Sequence, residues 1–286
     1  MNKKITSIVR QQPKLTGQIG NTLIYIDPDL EDQKVDIVKN GVYTLRANEG
    51  FDGLNSVEIN AEIVSDNFAT NKYTGTSTSY FNNLGSHVKD IPVLDLGDST
   101  SAYHLCYYAK NLEHIGKVVA NATINQASGM FMGCSKLKSI DSIDVVFRGT
   151  STGTQTSRDC SSMFRGCEQL EGELKLNINI NGGNMDSMFN GCKKLKKIDI
   201  SSITTTPQAF VEVFLDCFEL EELDISGMSI PYTPNTHSGS FKNVGKNLST
   251  PTKVYVKDEA TQNWILSLSG TSRPSNWSTE NVIIKG

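Results

Sequence analysis

One phrase recurs along this 286-residue chain: MFMGCSKLKSI at 130–140, MFRGCEQLEGEL at 163–174, MFNGCKKLKKIDIS at 188–201 and VFLDCFELEELDIS at 213–226. Anchored on the cysteine, the copies give a period by subtraction: 217 − 192 and 192 − 167 are both 25, and 167 − 134 is 33, or 25 plus an eight-residue insertion. Counting back in steps of 25 reaches Ala109 and then Leu84, and a degenerate copy, SFKNVGKNL, places Val244 at the anchor. Self-similarity at this period means a stack of small units, each unable to bury its apolar face without its neighbours.

Within one copy the periodicity changes. Met188, Phe189 and Cys192 are related by i, i+3 and i+4, the spacing of one helical face. Ile198 and Ile200, like Leu223 and Ile225, are two apart, the spacing of one strand face. Each coil is therefore expected to be a helical turn followed by a short parallel strand. The fold class this implies is an α/β repeat, a leucine-rich repeat solenoid of about seven coils, occupying 80–286. At ~4.8 Å per coil the body would be roughly 30 Å long. Ala102, Ala127, Cys160, Met185 and Phe210 precede each repeat's Met or its equivalent by three and are apolar throughout, so Cys160 should point inward. From about 250, TKVYVKDEATQNWILSL supplies a strand and an amphipathic helix, with Trp264, Leu266 and Leu268 placed to cover the open end, and WSTENVIIK adds a last strand. Solenoids need such a cap.

The six cysteines invite disulfide or metal readings. Yet Cys134, Cys167, Cys192 and Cys217 occupy a position that Leu84, Ala109 and Val244 fill elsewhere. A site that accepts Ala, Leu or Val is a buried apolar site, where a free thiol behaves as a small hydrophobe. These four are read as a reduced structural spine. No CxxC pair exists, so no zinc site is expected.

Residues 1–70 lack the repeat. Short β-branched runs separated by PDLED, Asn40-Gly41 and EGFDG read as a small all-β module of about five strands, a docking or anchor unit. A Ser/Thr/Asn/Gly-rich stretch makes 71–79 a linker. The unit NGVYTLRANEGFDGLNSVEINAEI resembles a segment near the front of structural and tail-associated proteins of tailed phages and prophages. The pattern Met-Phe-x-Gly-Cys-x-x-Leu-x-x-Leu/Ile-Asp-Ile-Ser, over about 80–256, resembles the BspA-like (bacterial surface antigen type) leucine-rich repeat. That resemblance implies an adhesin or a virion protein.

Other features point to little chemistry. Gly149-Thr-Ser-Thr-Gly153 matches G-x-S-x-G but lies in a polar loop with no strand–helix frame. Asp27, Asp29, Glu31 and Asp32 form an acidic turn without the glycine and bidentate glutamate of a calcium loop. None of the four histidines has an evident catalytic role, and no phosphate-binding glycine loop is present. No catalytic residue, metal or cofactor is assigned, and an enzyme is not expected. A net charge of −4 does not advertise nucleic acid, and no apolar run is long enough for a membrane span. The start shows no secretory signal.

Two surface patterns remain. Shifted by 25, Lys194, Lys196 and Lys197 meet Glu219, Glu221 and Glu222; on the other side Lys193 and Lys196 meet Glu168 and Glu171. Such alternation would fix coil register. The variable positions before each anchor supply a candidate interaction surface: Tyr107, Tyr108, Met132, Arg165 and Leu215, apolar or cationic where solvent is expected. The expected role is a non-enzymatic virion structural or adhesion protein, a tail, fibre or capsid-decorating component. Its front module would meet other virion proteins and its solenoid a host-surface protein or glycan, with a homo-oligomer in keeping with display on a particle. The alternative is a bacterial cell-surface adhesin with its export signal removed.

Overall fold

The computed structural model describes residues 88–96, 102–110, 112–121, 123–150, 160–181, 183–204, 206–207, 209–229 and 238–285, and before these only the backbone of short strands. Those strands are β1 (Gln18–Ile19), β2 (Thr22–Leu23), β3 (Lys34–Asp36), β4 (Tyr43–Thr44), β5 (Val57–Asn60) and β6 (Glu62–Val64). β2, β1 and β4 form an antiparallel sheet. β3 pairs in parallel with β5, and β5 and β6 pair in parallel with β7 (Val88–Asp95). The expected linker at 71–79 and the coil anchored on Leu84 lie outside the described residues.

From β7 onward the chain is a β-solenoid. Six described coils are anchored at Ala109, Cys134, Cys167, Cys192, Cys217 and Val244. One wall is a parallel sheet in two parts. The first continues from β7 through β8 (His114–Val119) to β9 (Ser139–Asp144). Beyond β10 (Val146–Thr150), the second runs β11 (Glu173–Lys175), β13 (Lys197–Asp199), β14 (Glu222–Asp224), β15 (Lys253–Val256) and β16 (Val282–Ile284). A second, short wall joins β10 in parallel to β12 (Asn177–Asn181).

The expected helical turn is not helical, and the α/β label is therefore corrected. The only helix among the described residues is α1 (Glu259–Ser267), outside the repeats. The reason lies in where the backbone donors go. In an α-helix every interior N–H bonds within the helix. Here alternate N–H groups leave the coil: Ser187, Phe189 and Gly191 donate to Val211, Val213 and Leu215 of the next coil, each at 2.8 Å. The N–H groups between them close tight turns, Met188 to Met185, Asn190 to Ser187 and Cys192 to Phe189. Reversing alternate peptides requires left-handed residues, and each coil has two, four apart: His104 and Tyr108, Gly129 and Gly133, Ser162 and Gly166, Ser187 and Gly191, Glu212 and Asp216, Gly239 and Asn243. The i, i+3, i+4 spacing did identify the inward face: Met188, Phe189 and Cys192 are fully buried.

Side chains in register stack through the interior. Phe131, Phe164, Phe189, Phe214 and Phe241 form a ladder with consecutive ring centroids 5.3, 5.6, 5.7 and 5.8 Å apart. Each stacked pair adds about 0.5–1.5 kcal/mol beyond its burial. Beside it runs the thiol row, in which Cys134, Cys167, Cys192 and Cys217 donate to carbonyls of the preceding coil (Cys106, Phe131, Phe164 and Phe189) at 3.0–3.3 Å. Cys160 is buried too. At the C-terminal end Trp277 and Trp264 close on Phe241, at 5.4 and 6.1 Å. Ile265 of α1 is fully buried, while Trp264, Leu266 and Leu268 pack half-buried against the same core. The Asp258 side chain accepts from the N–H of Thr261 and so caps the first turn of α1.

Candidate interaction surfaces

Two surfaces merit description, one on the turn wall and one on the sheet wall. On the turn wall, Tyr107, Met132, Arg165 and Leu215 fall in one row with Asn190 and Lys242. The backbone fixes this: Tyr108, Gly133, Gly166, Gly191 and Asp216 donate in succession to the carbonyls of Met132, Arg165, Asn190, Leu215 and Lys242. Arg165 is exposed, while Tyr107, Met132 and Leu215 are half-buried. Tyr108 belongs to the adjacent row, with Gly133, Gly166 and Gly191. It is 40% exposed, and its ring lies on Gly133, where an added Cβ would come within 2.7 Å of it.

Tyr107 and Tyr108 are part of a larger aromatic group that the sequence reading missed. Tyr103 stacks on His104 at 3.9 Å, His104 on Tyr107 at 4.3 Å, and Tyr107 meets Tyr108 edge-on at 4.4 Å. The Lys110 ammonium lies 5.8 Å from the Tyr108 ring centre. Burial pushes the Tyr107 hydroxyl pKa up, and Tyr108 beside it pushes in the same direction, while the Arg165 charge opposes both. Only one signal could have found Tyr103 and His104, the aromatic density of AYHLCYY at 102–108.

The charge pattern folds into a network in which two expected pairs, Lys194–Glu219 and Lys196–Glu171, exchange partners. Lys193 meets Glu168 at 3.0 Å, and Lys197 meets Glu222 at 3.8 Å. Lys196 bridges Glu219 and Glu221 at 3.3 and 3.1 Å, leaving Lys194 to reach back to Glu171 at 3.1 Å. Lys138–Glu113 adds an earlier rung at 2.6 Å. Opposite charges on neighbouring coils thus engage each other.

The sheet wall holds a cleft of about 860 Å³ where its two parts fail to join. It is lined by Ile140, Asp141, Ser142, Ile143, Asp144, Val145 and Val146 on one side, and by 173–177 with Asp199, Ser201 and Ser202 on the other. Asp141 pairs with His114 at 3.2 Å, and Asp199 with Lys175 at 2.8 Å. Burial acts to raise the Asp199 pKa, but hydrogen bonds from Lys175 and Ser201 outweigh it and hold the carboxyl below its ordinary range. The Ser202 hydroxyl is committed to the backbone of Leu176 and Ile178. The cleft offers carboxylates, strand backbone and a few apolar side chains; among the described residues no group of His, Cys, Asp or Glu is arranged to hold a metal ion. The Ser151 loop and the acidic turn at 27–32 lie outside the described residues.

No family model, curated protein or solved structure matches this chain.

Proposed function

We propose that the protein is a non-enzymatic binding scaffold. In this reading it is a virion structural or adhesion component of a tailed phage or prophage that displays a leucine-rich repeat solenoid of the BspA-like type. The observation that carries the scaffold role is the division of labour within each coil. Inward positions repeat, as in the phenylalanine and cysteine rows, while the outward row changes at every step from Tyr107 through Met132, Arg165, Asn190 and Leu215 to Lys242. A stack that holds its core constant and varies one face presents a rigid surface tailored residue by residue. The particle assignment rests on the N-terminal segment, whose phage-like pattern precedes the repeats. Mass spectrometry of purified particles, with imaging of labelled protein, tests it: the protein should co-purify in fixed stoichiometry, and absence from the particles refutes the assignment. The repeat pattern itself favours a cell-surface adhesin as second reading, and surface labelling of intact cells separates the two.

A further inference from the structure

The cleft in the sheet wall has a cause that also defines what fits it. Upstream of the gap the coils are joined, with the Glu171 N–H donating to the Lys138 carbonyl at 2.9 Å. Downstream they join again, Val146 against Asn177. Between these closures the earlier coil has seven residues (139–145) and the later coil five (172–176). The longer stretch cannot stay in register with the shorter. Among the described residues β9 pairs only with β8, and β11 only with β13, so these two strands face each other across the gap without pairing to one another.

In a parallel ladder alternate residues turn both N–H and C=O to the same side. Alternate residues of β9 therefore aim donors and acceptors into the gap, as does β11 from the other rim. At about 3.3 Å per residue the rims are roughly 23 and 17 Å long. Unpaired strand edges recognise another strand through its main chain and select among sequences by alternate side chains. Here the selecting groups are mixed. Asp144 and Glu173 stand on opposite rims, and among the described residues neither has an ion-pair partner. Val146 is 40% exposed at the mouth, beside half-buried Ile143.

We propose that this cleft is a docking slot for a short extended polypeptide segment in which basic and β-branched residues alternate. The segment's main chain bonds the free edge of β9, its Lys or Arg lies between Asp144 and Glu173, and its apolar side chains rest on Ile143 and Val146. Closure at both ends limits the slot to a few residues entering from the outer face. The inference is independent of whether a particle or a cell carries the protein.

The test uses the full chain and a fluorescein-labelled Val-Lys-Val-Lys-Val peptide, read by fluorescence anisotropy. Three controls accompany it: a Glu-for-Lys version, a version N-methylated at alternate amides, and an uncharged oligosaccharide. Saturable binding of the lysine peptide is expected, at least tenfold weaker for each control. A protein carrying Asp144→Lys and Glu173→Lys together should melt like the parent, since both side chains are exposed, and lose at least tenfold in affinity. Hydrogen exchange at 140–144 should slow when the lysine peptide is added. No binding at millimolar peptide, equal binding of the acidic peptide, preference for the oligosaccharide, or unchanged affinity on charge reversal each overturns the proposal. So does self-association of the protein through the slot in place of peptide binding.

Discussion

The interior positions behave as a ladder whose rungs are single residues. Phe189 has a ring on each side, Phe164 at 5.6 Å and Phe214 at 5.7 Å, and is fully buried. Phe189→Ala should therefore cost about 3–5 kcal/mol in chemical denaturation, with Phe189→Leu well short of that. The thiols make a different prediction. Burial pushes the Cys134 pKa from 9.0 up to about 12, although a backbone hydrogen bond opposes it. Below pH 9 the thiol is protonated in both folded and unfolded chains, and its contribution is fully present. As pH rises through 9 toward 12 the unfolded chain releases a proton that the folded one keeps, so stability falls. Urea midpoints should drop between pH 8 and pH 10.5, and Cys134→Ala should reduce that drop. Much of this was legible: the repeat alone placed the cysteines inside, because Ala109 and Val244 hold the same register. The left-handed residues were not, since His104, Ser162, Ser187 and Glu212 are ordinary polar side chains that carry no conformational signature. Gly166 tests that conformation in isolation. Its φ is +75°, and an added Cβ would sit 3.7 Å from Gly133, an ordinary contact. Gly166→Ala should thus cost about 1–2 kcal/mol from backbone conformation alone, and Gly166→Asn less.

At the scale of elements, charges and turns set which coil lies beside which. Lys196 spans two glutamates of the following coil. Lys196→Glu should lower the melting temperature more than Lys196→Gln, because it places like charges on adjacent coils as well as removing a pair. Equal effects, measured by scanning calorimetry, would remove the register role. The sequence paired Lys196 with Glu171, whereas the fold gives that glutamate to Lys194; a period of 25 fixes which coils touch but not which long side chain reaches across. The cleft was hidden for a related reason. The 33-residue spacing reads as one inserted loop, yet two of the extra residues fall in 139–145, opposite the five of 172–176, while β10 matches β12 residue for residue; that surplus is what separates β9 from β11. Asp258 offers a simpler element-scale test. Asp258→Ala should destabilise by about 1 kcal/mol through loss of the α1 cap, with the repeats unperturbed by circular dichroism.

At the scale of the whole molecule, the ladder bonds made by the alternate N–H groups of the described turns run one way. N–H groups of each coil, at positions such as Cys106, Phe131, Phe164, Phe189 and Phe214, point to carbonyls of the coil that follows, and at the last coil Phe241 donates to Ser272 of the cap. Aligned peptide dipoles sum, as they do along a helix. Over the described coils the turn wall is therefore an electrical axis, with its positive pole beneath the C-terminal cap and its carbonyl pole at the coil anchored on Ala109. It is the reverse of the polarity an α-helix would have with the same chain direction. Ends of one kind repel each other and attract the opposite end, so this axis favours head-to-tail over head-to-head stacking of these solenoids.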